Sequence, residues 1–204
     1  MQRLLCARCG DSIHPDTAKH NGGLCLPCIR GNQLSIAERT ERHRKQREEE
    51  RARYESPEYK YWVSIVKQVH EQENGYENLP PGDRLYYLLN VLIGEVHNGG
   101  FDQYFSNSSG DRYAETLAAL TEVGAQAPLK LLLEAKQVLF RECDVPKSQR
   151  ERFELMATST PEKPQYEAAC LALDLLDKRF YASADVIDQA LAEVAERYSL
   201  YSRP

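Results

Sequence analysis

The chain has 204 residues, 28% of them charged and 42% hydrophobic, with a formal net charge of −5. No apolar run approaches the roughly 20 residues of a membrane-spanning helix, and Met1 to Leu5 leads straight into a cysteine pair with no room for a secretory leader. This composition predicts one full domain with a small appendage in the reducing cytoplasm, and it sets membrane functions aside.

Charge is uneven along the chain. Residues 1–56 carry a net charge of +3 and residues 57–204 a net charge of −8. An acidic surface repels nucleic acid and favours basic partners, although a charge of that size is also what solubility alone requires of a domain.

The first predicted element is a zinc module over residues 1–32. Cys6-Ala7-Arg8-Cys9 and Cys25-Leu26-Pro27-Cys28 are two CxxC pairs separated by 15 residues. A two-residue spacer lets each pair of thiolates hold one edge of a tetrahedron, so Cys6, Cys9, Cys25 and Cys28 are the expected ligands of one structural Zn²⁺. Gly10 permits the tight turn after the first pair. Turn signals at His14-Pro15-Asp16-Thr17 and Asn21-Gly22-Gly23 predict a short hairpin between the pairs, and the chain after Cys28 reads into a helix. A zinc ribbon and a treble-clef-like module both satisfy this pattern. His14 and His20 read as exposed loop residues rather than ligands, and Cys143 and Cys170 as buried free thiols in helical patterns.

Residues 33–56 read as a charged linker helix, starting at Ser35, with almost no apolar residues. Glu38 with Arg42, Glu41 with Lys45 and Glu49 with Arg53 fall four residues apart in the favourable orientation, each pair contributing about 0.2–0.5 kcal/mol. Its cluster Arg42, His43, Arg44, Lys45 and Arg47 also suits phosphate contacts, a use that the interleaved glutamates oppose.

From Pro57 to residue 204 the apolar spacing predicts six to eight helices in a bundle-like domain, and strand alternation is absent. Tyr61, Trp62, Ile65, Val66 and Val69 mark one helix; Leu85, Leu88, Leu89, Leu92, Ile93 and Val96 mark the next. Further helices are expected around Leu117 to Val123, Leu129 to Phe140, Tyr166 to Phe180 and Val186 to Leu200. The fold class is therefore mainly α, with a small metal module attached. One stretch breaks the periodicity: Asn98-Gly99-Gly100 tolerates positive φ and should end one helix, letting Phe101 restart the chain with Phe101, Tyr104 and Phe105 as core aromatics. Asn107 to Gly110 should end that second helix, and Asp111 should cap the following one. Glu95, His97, Asp102 and Gln103 are the polar cluster that a partner or ligand would meet here. No nucleophile, phosphate-binding loop or second nearby histidine accompanies them and His70 reads as a surface residue, so no residue is expected to be catalytic.

The phrase from Glu95 through Asn98, Gly99, Gly100, Phe101, Gln103, Tyr104, Phe105 and Asn107 to Gly110, followed by Glu115-Thr116-Leu117-Ala118-Ala119-Leu120 and Gly124-Ala125, resembles the C-terminal domain shared by bacterial DNA-mimic proteins. The N-terminal cysteine stretch looks like a zinc-ribbon-type module found at the start of various bacterial proteins. The resemblance to the mimics implies an all-helical protein that occupies the DNA-binding face of a transcription factor or nucleoid protein, with carboxylates standing in for phosphates. The densest candidates for that partner surface are Asp174, Asp177, Asp185, Asp188, Glu193 and Glu196. Two other readings remain open: nucleic-acid binding through the zinc module and basic linker helix, and an immunity or antitoxin-type protein that neutralises a basic enzyme.

Overall fold

A computed structural model describes residues 3–31 and 36–202. The expected helix start at Ser35 and the limit between residues 32 and 33 lie outside the described residues. The chain divides into two compact units, residues 1–60 and 61–204, four residues beyond the boundary expected at Ser56.

In the first unit, β1 (Leu4–Leu5) pairs antiparallel with β2 (Ser12–Ile13), Leu4 opposite Ile13 and Leu5 opposite Ser12. The hairpin therefore wraps the first cysteine pair and does not lie between the pairs. The chain between them forms α1 (Pro15–His20), in which Pro15 supplies a first-turn residue with no amide to satisfy and the His14 ring accepts from the Asp16 amide at 3.3 Å. His14 and His20 are exposed as expected, but they begin and end a helix instead of sitting in a loop. α2 (Leu26–Ile29) starts at the second cysteine pair, not after it: Cys25 is its N-cap and Cys28 lies within it. Of the two expected arrangements, a second pair that opens a helix is the treble-clef-like one.

α3 (Ile36–Glu55) is a 20-residue helix with no buried side chain among those described. Other residues pair than those predicted: Arg44 bridges Glu41 at 2.7 Å and Glu48 at 2.9 Å, and Arg51 reaches Glu55 at 3.0 Å. Glu41 pairs with Arg44 rather than Lys45 because a guanidinium offers two edges, one for each carboxylate a turn away on either side.

α4 (Pro57–Glu71) begins at the expected boundary, where the Ser56 hydroxyl accepts from the Tyr59 amide at 3.1 Å. The second unit is built around α5 (Pro81–Ser106), whose face Leu85, Leu88, Leu89, Leu92 and Val96 is buried. α6 (Tyr113–Glu122), α9 (Tyr166–Tyr181) and α10 (Ala184–Arg197) pack on it, while α7 (Gln126–Phe140) packs against α6 and α9. α8 (Gln149–Leu155), a short helix that apolar periodicity does not reveal, also rests on α5. Leu120, Leu132, Leu139, Phe180, Ile187 and Val194 are at most 1% exposed and close the core. Burying each such side chain contributes about 1.5–3 kcal/mol.

The helical run of α5 breaks where expected. Gly99 leaves helical geometry and Gly100 takes φ 76° with ψ −176°, after which Phe101, Tyr104 and Phe105 enter the core with no exposed surface. A Cβ on Gly100 would meet the Asp177 carboxylate. Gly100→Ala therefore combines an unfavourable backbone with a clash, and urea denaturation should show a loss of more than about 1–3 kcal/mol. Gly94→Ala, on the same helix with nothing near its added methyl, should be neutral or gain up to about 1 kcal/mol.

Two thiols are less buried than expected. Cys143 is exposed just beyond the end of α7, and Cys170 is only partly buried on α9.

Candidate functional site

The four N-terminal cysteine sulfurs lie within 4.8 Å of one another. The Cys9 and Cys25 sulfurs are 3.7 Å apart, well beyond the ~2.05 Å of a disulfide. That separation matches the ~3.8 Å edge of a tetrahedron with Zn–S bonds of about 2.3 Å. The hairpin sets the first pair: Cys6 donates its amide to Asp11 O at 2.8 Å, and Gly10 donates to Cys6 O at 2.9 Å. Ala7 then donates to Gly23 O at 3.0 Å, which draws the second pair in, and Arg8 fixes α2 through the Cys28 carbonyl at 2.7 Å.

Electrostatics around the sulfurs are unequal. The amides of Cys9 and Cys25 aim at the Cys6 sulfur and hold its thiol down at about 6. Cys9 receives the Asp11 amide, yet burial among the other sulfurs pushes it up to about 12. Cys28 is raised chiefly by the hydrogen bond with the Cys25 side chain. The cluster can hold a metal ion, and filling it releases protons.

In the helical unit the residues of the 95–110 phrase divide between core and network. Glu95 Oε2 accepts from Gln103 Nε2 at 2.6 Å and from Asn107 Nδ2 at 2.9 Å, and Asn98 donates to Gln103 Oε1 at 3.0 Å. The expected polar cluster is not one cluster. His97 points away to the rings of Tyr181 and Phe180, at 5.1 and 6.2 Å between centroids, and Asp102 accepts from the Thr158 hydroxyl. His70 is exposed on α4.

The residue that organises this region is Arg152, with none of its surface exposed. Its guanidinium donates to Phe105 O at 2.8 Å and Asn107 O at 2.7 Å, satisfying carbonyls at the end of α5, and to Pro146 O at 3.0 Å and Lys147 O at 2.8 Å. Its charge is met by Asp111 at 2.7 Å. Asp111 is thus a counter-ion within the 3₁₀ turn Ser108–Arg112, not the cap expected for α6. A Cβ on Gly110 would sit 2.7 Å from Arg152 Nε, so the guanidinium lies over the bare glycine. One sequence signal pointed to α8: Ser148 and Glu151 have capping-box spacing, and the Ser148 hydroxyl accepts from the Glu151 amide at 3.4 Å.

The acidic candidates also separate. Asp174, Asp185, Asp188, Glu193 and Glu196 are exposed, and the last four share the outward half of α10, opposite buried Ile187 and Val194. They span about 16 Å at 1.5 Å per residue. Asp177 does not belong with them: its carboxylate turns inward and accepts from the Phe101 amide at 2.9 Å, holding the Gly100 break. Burial pushes its carboxyl above the ordinary range, against the lowering effect of the Phe101 amide. A folded-state value above the unfolded one makes its contribution most favourable below the unfolded carboxyl range, and that advantage is lost as pH rises through the folded value. Asp177→Asn keeps the acceptor, so at pH 7 it should equal or exceed the parent in thermal stability, with the gap closing toward pH 3. Asp177→Ala strands the Phe101 amide and should cost about 1–2 kcal/mol at either pH, by thermal or urea unfolding.

Taken together, the chain is an all-helical domain with a separate four-cysteine module. A family model described as DMP19-like protein matches residues 77–198, more than half of the chain and all within the helical unit, and the chain belongs to that family. No curated protein and no solved structure matches it. No described helix is long and apolar enough to cross a membrane.

Proposed function

We propose that this is a non-enzymatic, cytoplasmic regulatory protein whose helical unit binds the basic face of a nucleic-acid-binding protein, with α10 presenting carboxylates where that face would meet phosphates. The observation that carries this reading is the outward acidic half of α10 on a domain of the DMP19-like family. An array of Lys and Arg preformed for DNA does not distinguish carboxylate from phosphate by charge alone, so a rigid acidic stripe competes for it. The four-cysteine cluster holds one structural Zn²⁺: all four donors are thiols, which this ion favours, and their spacing suits a closed tetrahedral site.

The rival in which the chain itself binds nucleic acid draws on the basic residues of α3. Arg44 and Arg51 are already paired with glutamates on the same helix, which reduces the positive field available to a phosphate backbone. The test uses the full chain and its quadruple variant Asp185→Asn, Asp188→Asn, Glu193→Gln, Glu196→Gln. The variant should lose a basic partner that the parent retains from lysate, and the parent should not bind duplex DNA at low salt. DNA binding that weakens with salt and disappears on neutralising Arg42, Arg44, Lys45 and Arg47 would favour the rival.

A further inference from the structure

Between α4, α5, the 3₁₀ turn and α6 the helical unit has an open-mouthed cavity of about 490 Å³. Val69, Leu88 and Val91 line one side, the rings of Tyr76 and Tyr87 stand 5.7 Å apart in its wall, and Glu95 from the family phrase reaches it. We infer that this cavity is a receptor for an arginine side chain of a protein partner, with Glu95 receiving the guanidinium. The inference rests on the basic-partner reading and names the feature of the partner that would anchor it.

Among the described residues, the charges bordering the cavity leave Glu95 as the carboxylate with no cation of its own. Arg112 is held by Glu77 at 2.6 Å and Glu115 at 3.1 Å, and Asp111 is held by Arg152. Glu95 has two amide donors, and both go to Oε2, which fixes the carboxylate and leaves Oε1 able to accept. The walls already show the chemistry required. Arg112 lies 3.8 Å over the Tyr76 ring, while the Tyr76 hydroxyl donates to Glu115, so one guanidinium is held here by an aromatic face and carboxylates together. A second guanidinium would find the Tyr87 ring, Glu95 and an apolar side for its methylene stem. Lys147, exposed at the border, and Arg112, already paired with two carboxylates, are the cations that oppose a second one.

The test titrates the isotopically labelled full chain with N-acetyl-L-arginine amide and follows the side-chain amide signals of Gln103 and Asn107, which report on Glu95. Saturating shifts with a Kd of about millimolar are expected for so small a probe. They should vanish in Glu95→Gln and also in Val91→Phe, which fills the cavity and keeps the carboxylate. Lys147→Ala should tighten binding about two- to fivefold by removing an opposing charge. No response to the probe, an equal response to N-acetyl-norleucine amide, or weaker binding in Lys147→Ala together with binding of inorganic phosphate would each overturn the inference. The probe needs no partner. Arginine binding without any basic protein partner would sink only the partner reading, and a partner captured by a chain that ignores the probe would sink only the cavity.

Discussion

Replacing Arg152 with alanine should destabilise the helical unit by about 3–5 kcal/mol, enough to consume much of the 5–15 kcal/mol that holds a domain of this size together. The magnitude follows from what is left behind. Four backbone carbonyls, at Phe105, Asn107, Pro146 and Lys147, lose their donor, and Asp111 loses its counter-charge. Lysine retains the charge but has a single ammonium in place of a planar fork, and cannot reach carbonyls at the end of α5 and before α8 at once, so Arg152→Lys should still cost about 1–3 kcal/mol. Asp111→Ala should cost less than Arg152→Ala, because the Asp111 side chain is 43% exposed and Arg152 keeps its four carbonyls. Urea denaturation of the three variants gives the order, and a loss below about 1 kcal/mol for Arg152→Ala would refute the role assigned to it.

Removing the metal, or changing Cys9 or Cys25 to serine, should unfold residues 3–31 and leave the helical unit intact. The module has little else to hold it: apart from the cysteines, its buried apolar residues are Ile13 and Ala18, with Leu24 partly buried against them. A segment of this length cannot bury enough apolar surface to offset its chain entropy, so with the proposed Zn²⁺ in place ligation would supply the folding free energy, about 10–16 kcal/mol for zinc-finger peptides. Hydrogen exchange after chelation should show complete loss of protection in the module and unchanged protection in α5, α9 and α10. Binding should also weaken as pH falls, since the raised thiols of Cys9 and Cys28 must give up protons to become ligands. Loss of helicity at residues 61–202 on chelation would contradict the division into independent units.

What could be read from the residues alone was whatever depends on local periodicity. Leu85 to Val96 at helical spacing, the Asn98-Gly99-Gly100 break and the CxxC spacing each express a short-range rule, and the structure places a buried helix face, a kink and a thiol cluster there. The reading failed where tertiary packing reverses a residue's ordinary preference. Arg152 sits in Gln149-Arg150-Glu151-Arg152-Phe153-Glu154-Leu155, a run in which no local pattern marks it for burial, because its burial depends on carbonyls 45 and 47 residues earlier. Asp177 reads, like exposed Asp174 three residues earlier, as an acidic residue of α9, and its contact with the Phe101 amide 76 residues away turns it inward. Cys143 reads as a buried thiol in a helical pattern, but α7 ends at Phe140 and leaves it exposed.

The most direct measurement is capture of proteins from native lysate on the immobilised full chain, repeated with excess duplex DNA and with the four-carboxylate variant of α10. The account predicts a DNA-binding protein that is retained by the parent, displaced by DNA and lost by the variant. Retention of a partner that neither DNA nor loss of the α10 carboxylates displaces would contradict it.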